Sequence, residues 1–236
     1  MKLKDKKVVV IGGSSGMGLE IAKSAAQAEA DTIIASRSPQ KLEAALAEIE
    51  HHVSAYPIDL TDSSSIKEFF QRIGAIDYLI ISGSSLEMGA FRELPVEKAM
   101  QSMDSKFWGP YRAVKAAQMS DNGSIILFSG GLSRKPSKGA AIVSAINAAI
   151  EGLGRALALE LAPVRVNVIS PGVVQTPIYS DMPEDKREQM YNQTAEKLPV
   201  NKVGKTEDIA KITLEVMSND YITGTVIDVN GGSFLV

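Results

Sequence analysis

The segment "VVVIGGSSGMG", Val8–Gly18, joins a run of β-branched residues directly to a turn that contains spaced glycines. A helical pattern, "LEIAKSAAQAEA", follows at once, and a second apolar run, "TIIAS", comes next. In such a strand–turn–helix unit, glycines let backbone N–H groups approach a pyrophosphate, and the helix dipole favours its negative charge. The order of these elements predicts nucleotide binding, the alternative being an ordinary tight turn.

Seven short apolar runs alternate with helical patterns along the chain. A strand that is apolar throughout is expected where helices cover both faces of a parallel sheet. Right-handed crossovers between such strands predict one α/β domain over residues 1–236: a Rossmann-type, doubly wound parallel sheet of about seven strands with helices on both faces. The runs are Val8–Gly12, Thr32–Ser36, Tyr56–Leu60, Tyr78–Ser82, Ser124–Ser129, Arg165–Ser170 and Thr225–Asn230.

The pattern after the second run shows how a helix is expected to begin and pack. Ser38 and Pro39 are residue types favoured at an N-cap and at the first helical position. Leu42, Leu46 and Ile49 recur at helical spacing, which places all three on one face. We expect that face to pack on the sheet.

One long stretch without regular periodicity, residues 173–205, follows the sixth run. Loops of this length in a single domain are usually functional, and open α/β sheets bind ligands past the carboxyl ends of their strands. We therefore expect a substrate-side lid here. Its Tyr179 and Tyr191 are candidates for a proton donor that swings into the site, although packing within the lid is the favoured interpretation.

Bulk composition excludes several classes of protein. The chain has 236 residues, 44% hydrophobic and 22% charged, with a net charge of -3. No block of like charge suggests a nucleic-acid or membrane surface. The absence of cysteine excludes disulfides and is compatible with the cytoplasm, and the apolar run in "MKLKDKKVVVIGG" is too short for a signal peptide. His51 and His52 alone are too few for zinc, so no metal site is predicted.

The glycine spacing Gly-x-x-x-Gly-x-Gly, which begins at Gly12, resembles the short-chain dehydrogenase/reductase family. The resemblance spans almost the whole chain. It includes "IDL" with Asp59, "RVNVISPGVVQTP" at 165–177 and "YITGTVIDVNGG" at 221–232. It implies a nicotinamide cofactor and an oxidoreductase that works by hydride transfer.

The resemblance also implies where several residues meet the cofactor. Asp59 would lie by the adenine, and Pro171 and Gly172 would shape the nicotinamide side. Val174 would offer its backbone to the carboxamide, and Thr176 would reach the phosphates. The full predicted cofactor set is Gly12, Ser14, Ser15, Gly16, Met17, Gly18, Ser36, Arg37, Asp59, Leu60, Ser82, Gly83, Ser84, Asn147, Pro171, Gly172, Val174 and Thr176.

The residues after the second strand decide between NADP(H) and NAD(H). An acidic residue there binds the ribose 2′-hydroxyl of NAD, whereas an arginine accommodates the 2′-phosphate of NADP. This chain has Ser36 in place of the acid, followed by Arg37. NADP(H) is therefore favoured over NAD(H), the alternative being that Arg37 points into solvent.

The catalytic residues implied by the resemblance are an Asn, a Ser, a Tyr and a Lys. The tyrosine exchanges the carbonyl proton, and lowering its pKa from ~10 toward neutrality takes about 4 kcal/mol, which the lysine helps to supply. At these positions the chain has Lys106 for Asn, Gly130 for Ser (with Ser129 before it), Val143 for Tyr and Asn147 for Lys. All four positions differ from the family pattern.

The family's Asn and Lys have in effect exchanged places at Lys106 and Asn147. In the family these helices are neighbours, so we hypothesise that Lys106 supplies an ammonium near the cofactor ribose while Asn147 hydrogen-bonds its hydroxyls. The alternative is two independent losses that leave Lys106 on a solvated rim. Ser129 is a candidate for orienting a carbonyl, or else a helix or turn cap. The predicted catalytic set is Lys106, Ser129 and Asn147.

Two other patterns are better explained by packing or by solvent exposure than by a functional site. Tyr111 and Lys115 form a Tyr-x-x-x-Lys pattern, but they precede the serine-bearing strand, whereas the family's pair follows it. We therefore expect Tyr111 to pack against its neighbours. Arg134, Lys135 and Lys138 near the cleft mouth could steer an anionic substrate, but a solvated basic loop is favoured.

Two functions remain open from the sequence. One is an NADP(H)-dependent oxidoreductase acting on an unidentified carbonyl, quinone or alcohol with an altered proton relay; the other is a catalytically silent NADP(H)-binding sensor or assembly partner. Small residues along the helix Ala140–Leu161 allow close helix–helix approach, and the family's equivalent helices pair across a two-fold axis. A homodimer or homotetramer is therefore expected, the alternative being packing on its own sheet.

Overall fold

The seven strands of the computed structural model, which describes residues 3–236, are all parallel and form one sheet in the order β3-β2-β1-β4-β5-β6-β7. The predicted doubly wound α/β fold is confirmed; Met1 and Lys2 lie outside the described residues. The strands are β1 Lys7–Ile11, β2 Asp31–Ser36, β3 Val53–Pro57, β4 Ile76–Ile81, β5 Met119–Phe128, β6 Arg165–Pro171 and β7 Val226–Val229.

Helices connect successive strands and cover both faces of the sheet. The α-helices are α1 Gly16–Gln27, α2 Pro39–Glu48, α3 Ser63–Ile73, α4 Val96–Met103, α5 Gly109–Ala116, α6 Ala141–Glu160, α7 Glu184–Lys197 and α8 Thr206–Ser218. A wide π-helical turn, Asp104–Trp108, runs without a break between α4 and α5.

Alternate strand residues supply two hydrophobic cores. Val8 and Val10 of β1 face a core formed with α1, α2 and α8, while Val9 and Ile11 face a second core formed with α3, α5 and α6. All four side chains are buried. This two-sided burial is why the strands are apolar throughout.

Two local predictions were wrong. The third strand is Val53–Pro57 rather than Tyr56–Leu60. It lies at the edge of the sheet, and its small and polar residues do not form the continuous apolar run by which the other strands were predicted. Leu46 does not share the buried face of α2: it is 37% exposed, and Ala45 is buried in its place. The Ser38 cap is confirmed, since its hydroxyl accepts a hydrogen bond from the N–H of Lys41 at 3.2 Å.

The stretch 173–205 is more regular than predicted. It contains a short 3-10 turn, Pro177–Tyr179, and the fourteen-residue helix α7. The sequence of α7, "EDKREQMYNQTAEK", is almost wholly polar, and none of its residues is buried. A helix without an apolar face has no periodic hydrophobic pattern, which is why this helix was not predicted.

The long helix α6 was predicted closely, at Ala140–Leu161 against the observed Ala141–Glu160. It has twenty residues, its most apolar eighteen-residue window has a mean hydropathy of 1.4, and it is the one helix in 3–236 long and apolar enough to cross a membrane. It lies against the sheet, where Ile146, Ile150 and Gly154 are buried. Packing of this kind is ordinary for a core helix of a folded domain.

Close packing of α6 on β6 makes Gly154 a position where a methyl group should destabilise the fold. A Cβ there would lie 2.4 Å from the Cγ2 of Val168, whereas a Cβ at Gly152 would meet nothing within 4 Å. Gly154→Ala should cost about 1–3 kcal/mol of the free energy of unfolding through overpacking. Gly152→Ala should gain about 0.5–1 kcal/mol, because Gly is unfavourable inside a helix.

Urea denaturation of the two variants tests this contact. Both substitutions change the intrinsic helix propensity equally, so the difference between their midpoints isolates the contact with Val168. Equal midpoints would show that α6 does not approach the sheet as closely as described.

Candidate active site

Three backbones meet where β1 ends. Gly12 has a φ of +88°, and a Cβ on it would lie 2.3 Å from the N atom of Gly83, just past β4. A Cβ on Gly18 would lie 2.2 Å from the carbonyl oxygen of Gly12. Only glycine fits at these positions, so the start of α1 is brought to the junction of β1 and β4. Here the strand order reverses, which is where doubly wound sheets bind their ligands.

A cleft of about 480 Å³ opens at this junction. The turn Ser14–Met17 and the residues after β2, β3 and β4 form one end, and the residues after β5 and the turn at Pro177 form the other. Ser15 is the N-cap of α1, but its hydroxyl makes no cap hydrogen bond. The first N–H groups of α1 therefore lack a side-chain acceptor and are suited to an anionic group.

The end of the cleft near β2 carries two cations and a free hydroxyl. Arg37 and Lys41 both line it, and the buried Oγ of Ser36 has no hydrogen-bond partner. Asp59 lies across from them and accepts hydrogen bonds from the N–H and hydroxyl of Thr61, at 2.9 and 2.7 Å. Burial opposes ionisation of Asp59, but these hydrogen bonds and the charge of Arg37 outweigh it and lower the pKa of the carboxyl.

Lys106 reaches the opposite end from the π-helical turn between α4 and α5. The N–H of Gly109 donates to the carbonyl of Asp104, five residues back. Pro110 has no N–H and so cannot make the α-helical bond to the carbonyl of Lys106. The helix is thus widened around Lys106, and π turns of this kind often occur at functional sites.

The Lys106 amine lies in the cleft without a carboxylate partner. Its Nζ donates to the carbonyl of Ser129 at 3.3 Å, and no ion pair within 4.0 Å involves it among residues 3–236. Asp104, on the same turn, is paired with Arg112 instead. Burial lowers the pKa of Lys106 to about 8. The amine is therefore poised to gain or lose a proton near neutral pH.

Asn147 lies next to Lys106 through the same segment of chain. Its Nδ2 donates to the carbonyl of Gly130 at 3.3 Å, while Lys106 holds the preceding carbonyl. The Oδ1 of Asn147 is buried and has no partner. A Cβ on Gly130 would lie 3.1 Å from the Nδ2 of Asn147, so this amide occupies the space beside the family's serine position. Val143, one turn earlier, is 4% exposed and apolar.

Most of the predicted site residues come together around the cleft. Those that line it are Gly12, Ser14, Ser15, Gly16, Met17, Gly18, Ser36, Arg37, Asp59, Leu60, Ser82, Gly83, Ser84, Lys106, Ser129 and Thr176. Asn147, Pro171, Gly172 and Val174 are not among the lining residues, because Pro171 ends the buried strand β6 and Asn147 lies under Gly130. For Ser129 the hydroxyl is already engaged: it donates to Glu151 at 3.1 Å.

The lining residues that were not predicted from the sequence are Ile11, Ser38, Lys41, Ile58, Thr61, Leu86, Ser105, Phe128, Pro177 and Ile178. Lys41 had a readable signal, since it lies four residues after Arg37, in the first turn of α2. Ser105 had none, because it is brought to the cleft by the π turn and accepts a hydrogen bond from the N–H of Ser85 at 2.8 Å.

The residues that were expected to pack together or to lie in solvent, and not to act on a ligand, lie outside the cleft lining. Tyr179 and Tyr191 pack edge to face, with ring centroids 5.8 Å apart, and burial raises the pKa of Tyr179. Tyr111 packs against Trp108, with ring centroids 5.5 Å apart. Arg134 is not free to steer a ligand, because it pairs with Asp228.

Comparison with known proteins places the chain in a family. Residues 12–233 match a family described as enoyl-(acyl carrier protein) reductase. The short-chain dehydrogenase/reductase ATR9 of Stachybotrys chlorohalonatus is 30% identical over 99% of this chain and 98% of its own length. The chain belongs to the short-chain dehydrogenase/reductase family of oxidoreductases.

Two solved structures carry the cofactor of this family. A small-chain dehydrogenase in complex with NADPH is 40% identical, with a TM-score of 0.83 over 98% of this chain and 99% of that one. An NADPH-bound short-chain oxidoreductase of Pseudomonas aeruginosa PAO1, described as containing an atypical catalytic center, is 27% identical, with a TM-score of 0.92 over 98% and 97%.

The cleft fits a nicotinamide dinucleotide. The glycine junction leaves no Cβ between the chain and a pyrophosphate, the start of α1 offers uncapped N–H groups, and Ser36, which lines the cleft, holds a buried hydroxyl without a partner. These are donors and acceptors of the kind that a dinucleotide requires.

Proposed function

We propose that this protein is an NADP(H)-dependent oxidoreductase that transfers a hydride to or from a small carbonyl, quinone or alcohol substrate, with Lys106 in the proton relay in place of the family's tyrosine. The observation that carries the proposal is the Lys106 amine, which lies in the cleft with a pKa lowered to about 8 by burial. No tyrosine lines the cleft within 3–236.

Residues at the two ends of the cleft would bind different parts of the cofactor. The turn Ser14–Met17 and the start of α1 would hold the pyrophosphate, and Asp59 would meet the adenosine half. The Oδ1 of Asn147, which lacks a partner, would accept a hydrogen bond from a ribose hydroxyl. When bound, the nicotinamide ring supplies or accepts the hydride.

Lys106 would move the proton that accompanies the hydride. At neutral pH most of the amine is protonated, so in the reductive direction it donates a proton to the substrate oxygen as negative charge develops there. In the oxidative direction the neutral amine accepts the proton of the alcohol. A pKa near the working pH makes both transfers feasible.

The 2′-phosphate of NADP(H) would bind at the β2 end of the cleft. Arg37 and Lys41 supply two positive charges there, and the free hydroxyl of Ser36 supplies a hydrogen-bond donor. An acidic residue, which would repel the phosphate, is missing from the loop after β2. Preference for NADP(H) over NAD(H) is the expected consequence.

A second function is favoured by one observation. Val143 is buried and apolar where the family has its tyrosine, so the site has lost its usual acid. If Lys106 does not replace that acid, the protein is a silent NADP(H)-binding protein that acts as a sensor or assembly partner.

We also propose an oligomeric state, the absence of two classes of partner and a location for the protein. We expect a homodimer or homotetramer, because the outer face of α6 exposes the small residues Ala145 and Ala148, which allow close helix contact. With a net charge of -3 and no block of like charge in the sequence, neither nucleic acid nor a membrane is an expected partner. The cytoplasm is the proposed location.

Turnover depends on Lys106 if the proposal is right. We expect the wild type to oxidise NADPH with at least one acceptor from a panel of aldehydes, ketones, quinones and activated alkenes. Lys106→Met should lower that rate by about 10²–10⁴-fold, the usual contribution of a positioned acid, and should fold normally because it removes a charge from a partly buried side chain that makes no ion pair within 3–236. In the reductive direction the wild-type rate should fall about tenfold per pH unit above about pH 8.

NADPH absorbance follows these rates, and a double variant separates the two functions. Turnover by Val143→Tyr/Asn147→Lys but not by the wild type would mean that the cleft binds cofactor and substrate without its own acid. The silent NADP(H)-binding function would then replace the enzymatic one.

Cofactor preference depends on Arg37 and Lys41. Each change to Ala should weaken NADPH binding by about tenfold or more, because each removes a charge-assisted contact to the 2′-phosphate. NADH, which lacks that phosphate, should bind the variants as it binds the wild type. Isothermal titration calorimetry measures both affinities, and Lys67→Ala, an exposed lysine outside the cleft lining, is the control. Equal losses for NADH and NADPH would contradict the assignment.

A further inference from the structure

A buried carboxylate lies behind the cleft and takes no part in the steps proposed above. Glu151 is on α6, one turn after Asn147, and is 7% exposed. Its Oε1 accepts hydrogen bonds from the hydroxyls of Ser129 at 3.1 Å and Ser133 at 2.5 Å, and Arg134 lies 3.8 Å away. Burying a carboxylate is costly unless it is paired in this way, so the site needs an explanation.

Ser129 connects this carboxylate to the Lys106 amine. Its N–H donates to the carbonyl of Ile169 at 2.9 Å, and its hydroxyl donates to Glu151. Its remaining polar group, the carbonyl, accepts the hydrogen bond from Lys106. Both donors of Ser129 are therefore held by the protein, which restrains the residue whose carbonyl the amine contacts.

The Lys106 amine depends on that carbonyl. Within the described part of the chain it makes no other hydrogen bond, and the acid on its own turn, Asp104, is taken by Arg112. The four-carbon stem of a lysine is flexible, so one contact decides where the ammonium rests.

We propose that Glu151 is a positioning residue for Lys106: by holding the Ser129 hydroxyl, it fixes the carbonyl that keeps the amine in the cleft. Its importance for catalysis rests on the function proposed for Lys106, whereas the chain of contacts itself does not. Two residues one turn apart on α6 thereby hold consecutive residues after β5, with Glu151 bound to Ser129 and Asn147 bound to Gly130.

Four variants separate positioning from general support of the fold. Glu151→Leu and Ser129→Ala each break the link to Lys106. Glu151→Gln keeps an oxygen that can accept from both serines, so it should restore the wild-type behaviour. Ser133→Ala removes the other hydroxyl on Glu151 but leaves the link through Ser129 intact, which makes it the matched control.

The readout is the protonation of Lys106 in the protein without cofactor. Trace acetylation across a pH series, quantified at Lys106 by peptide mass spectrometry, gives the midpoint at which the amine becomes reactive, and the exposed Lys115 serves as the internal reference. The wild type, Glu151→Gln and Ser133→Ala should share a midpoint near pH 8. In Glu151→Leu and Ser129→Ala the released amine should reach water, and the midpoint should rise by about one pH unit or more toward that of a free lysine.

The outcomes are distinct from those of the turnover experiment. An unchanged midpoint in a folded Glu151→Leu or Ser129→Ala variant would overturn the positioning role. Should Glu151→Leu fail to fold, Ser129→Ala still decides, because it removes a single hydroxyl. A shifted midpoint in a protein that never oxidises NADPH would support the positioning of Lys106 and reject the proposed enzyme.

Discussion

The fold and the site both depend on the close approach of Gly12, Gly18 and Gly83. A Cβ at Gly12 or Gly18 would lie 2.2–2.3 Å from backbone atoms of the neighbouring segment, which is far inside van der Waals contact. This close approach lets α1 begin directly at the junction of β1 and β4, where the order of the strands reverses. The uncapped N–H groups of α1 are thereby aimed into a cleft that other strands complete with polar side chains.

At the end of the cleft that holds Lys106, it is burial and not a neighbouring charge that shifts the pKa of the amine. In the family pattern a lysine helps to lower the pKa of a tyrosine, whereas in the function proposed for this protein the amine of Lys106 would itself exchange the proton. Burial lowers its pKa to about 8, and among residues 3–236 no carboxylate lies within 4.0 Å of the amine. Its position comes from the π turn, from Pro110 and from the carbonyl of Ser129.

The parts of the structure with strong local signals could be predicted from the sequence. The buried strands are apolar throughout, and the glycine turn lies between a strand and a helix. The sheet, the junction of β1 and β4 and most of the cleft lining could therefore be predicted. Helix α7 could not be predicted, because it has no apolar face. Neither could the partnership of Ser129 with Glu151, since residues 22 positions apart meet only after the strand and helix have packed. The Ser129 hydroxyl was taken as a group for the substrate or a cap, and it is bound to Glu151 instead.

A crystal structure with bound NADPH would show whether Lys106 can act in the proposed proton relay, because the amine must then lie at the nicotinamide end of the cofactor. The quantity to measure is the distance from the Lys106 Nζ and the Asn147 Oδ1 to the hydroxyls of the nicotinamide ribose. We expect both atoms to lie within hydrogen-bonding distance, about 2.7–3.2 Å, of that ribose or of each other. A Lys106 side chain turned away from both the ribose and Asn147 would rule out its part in the proton relay.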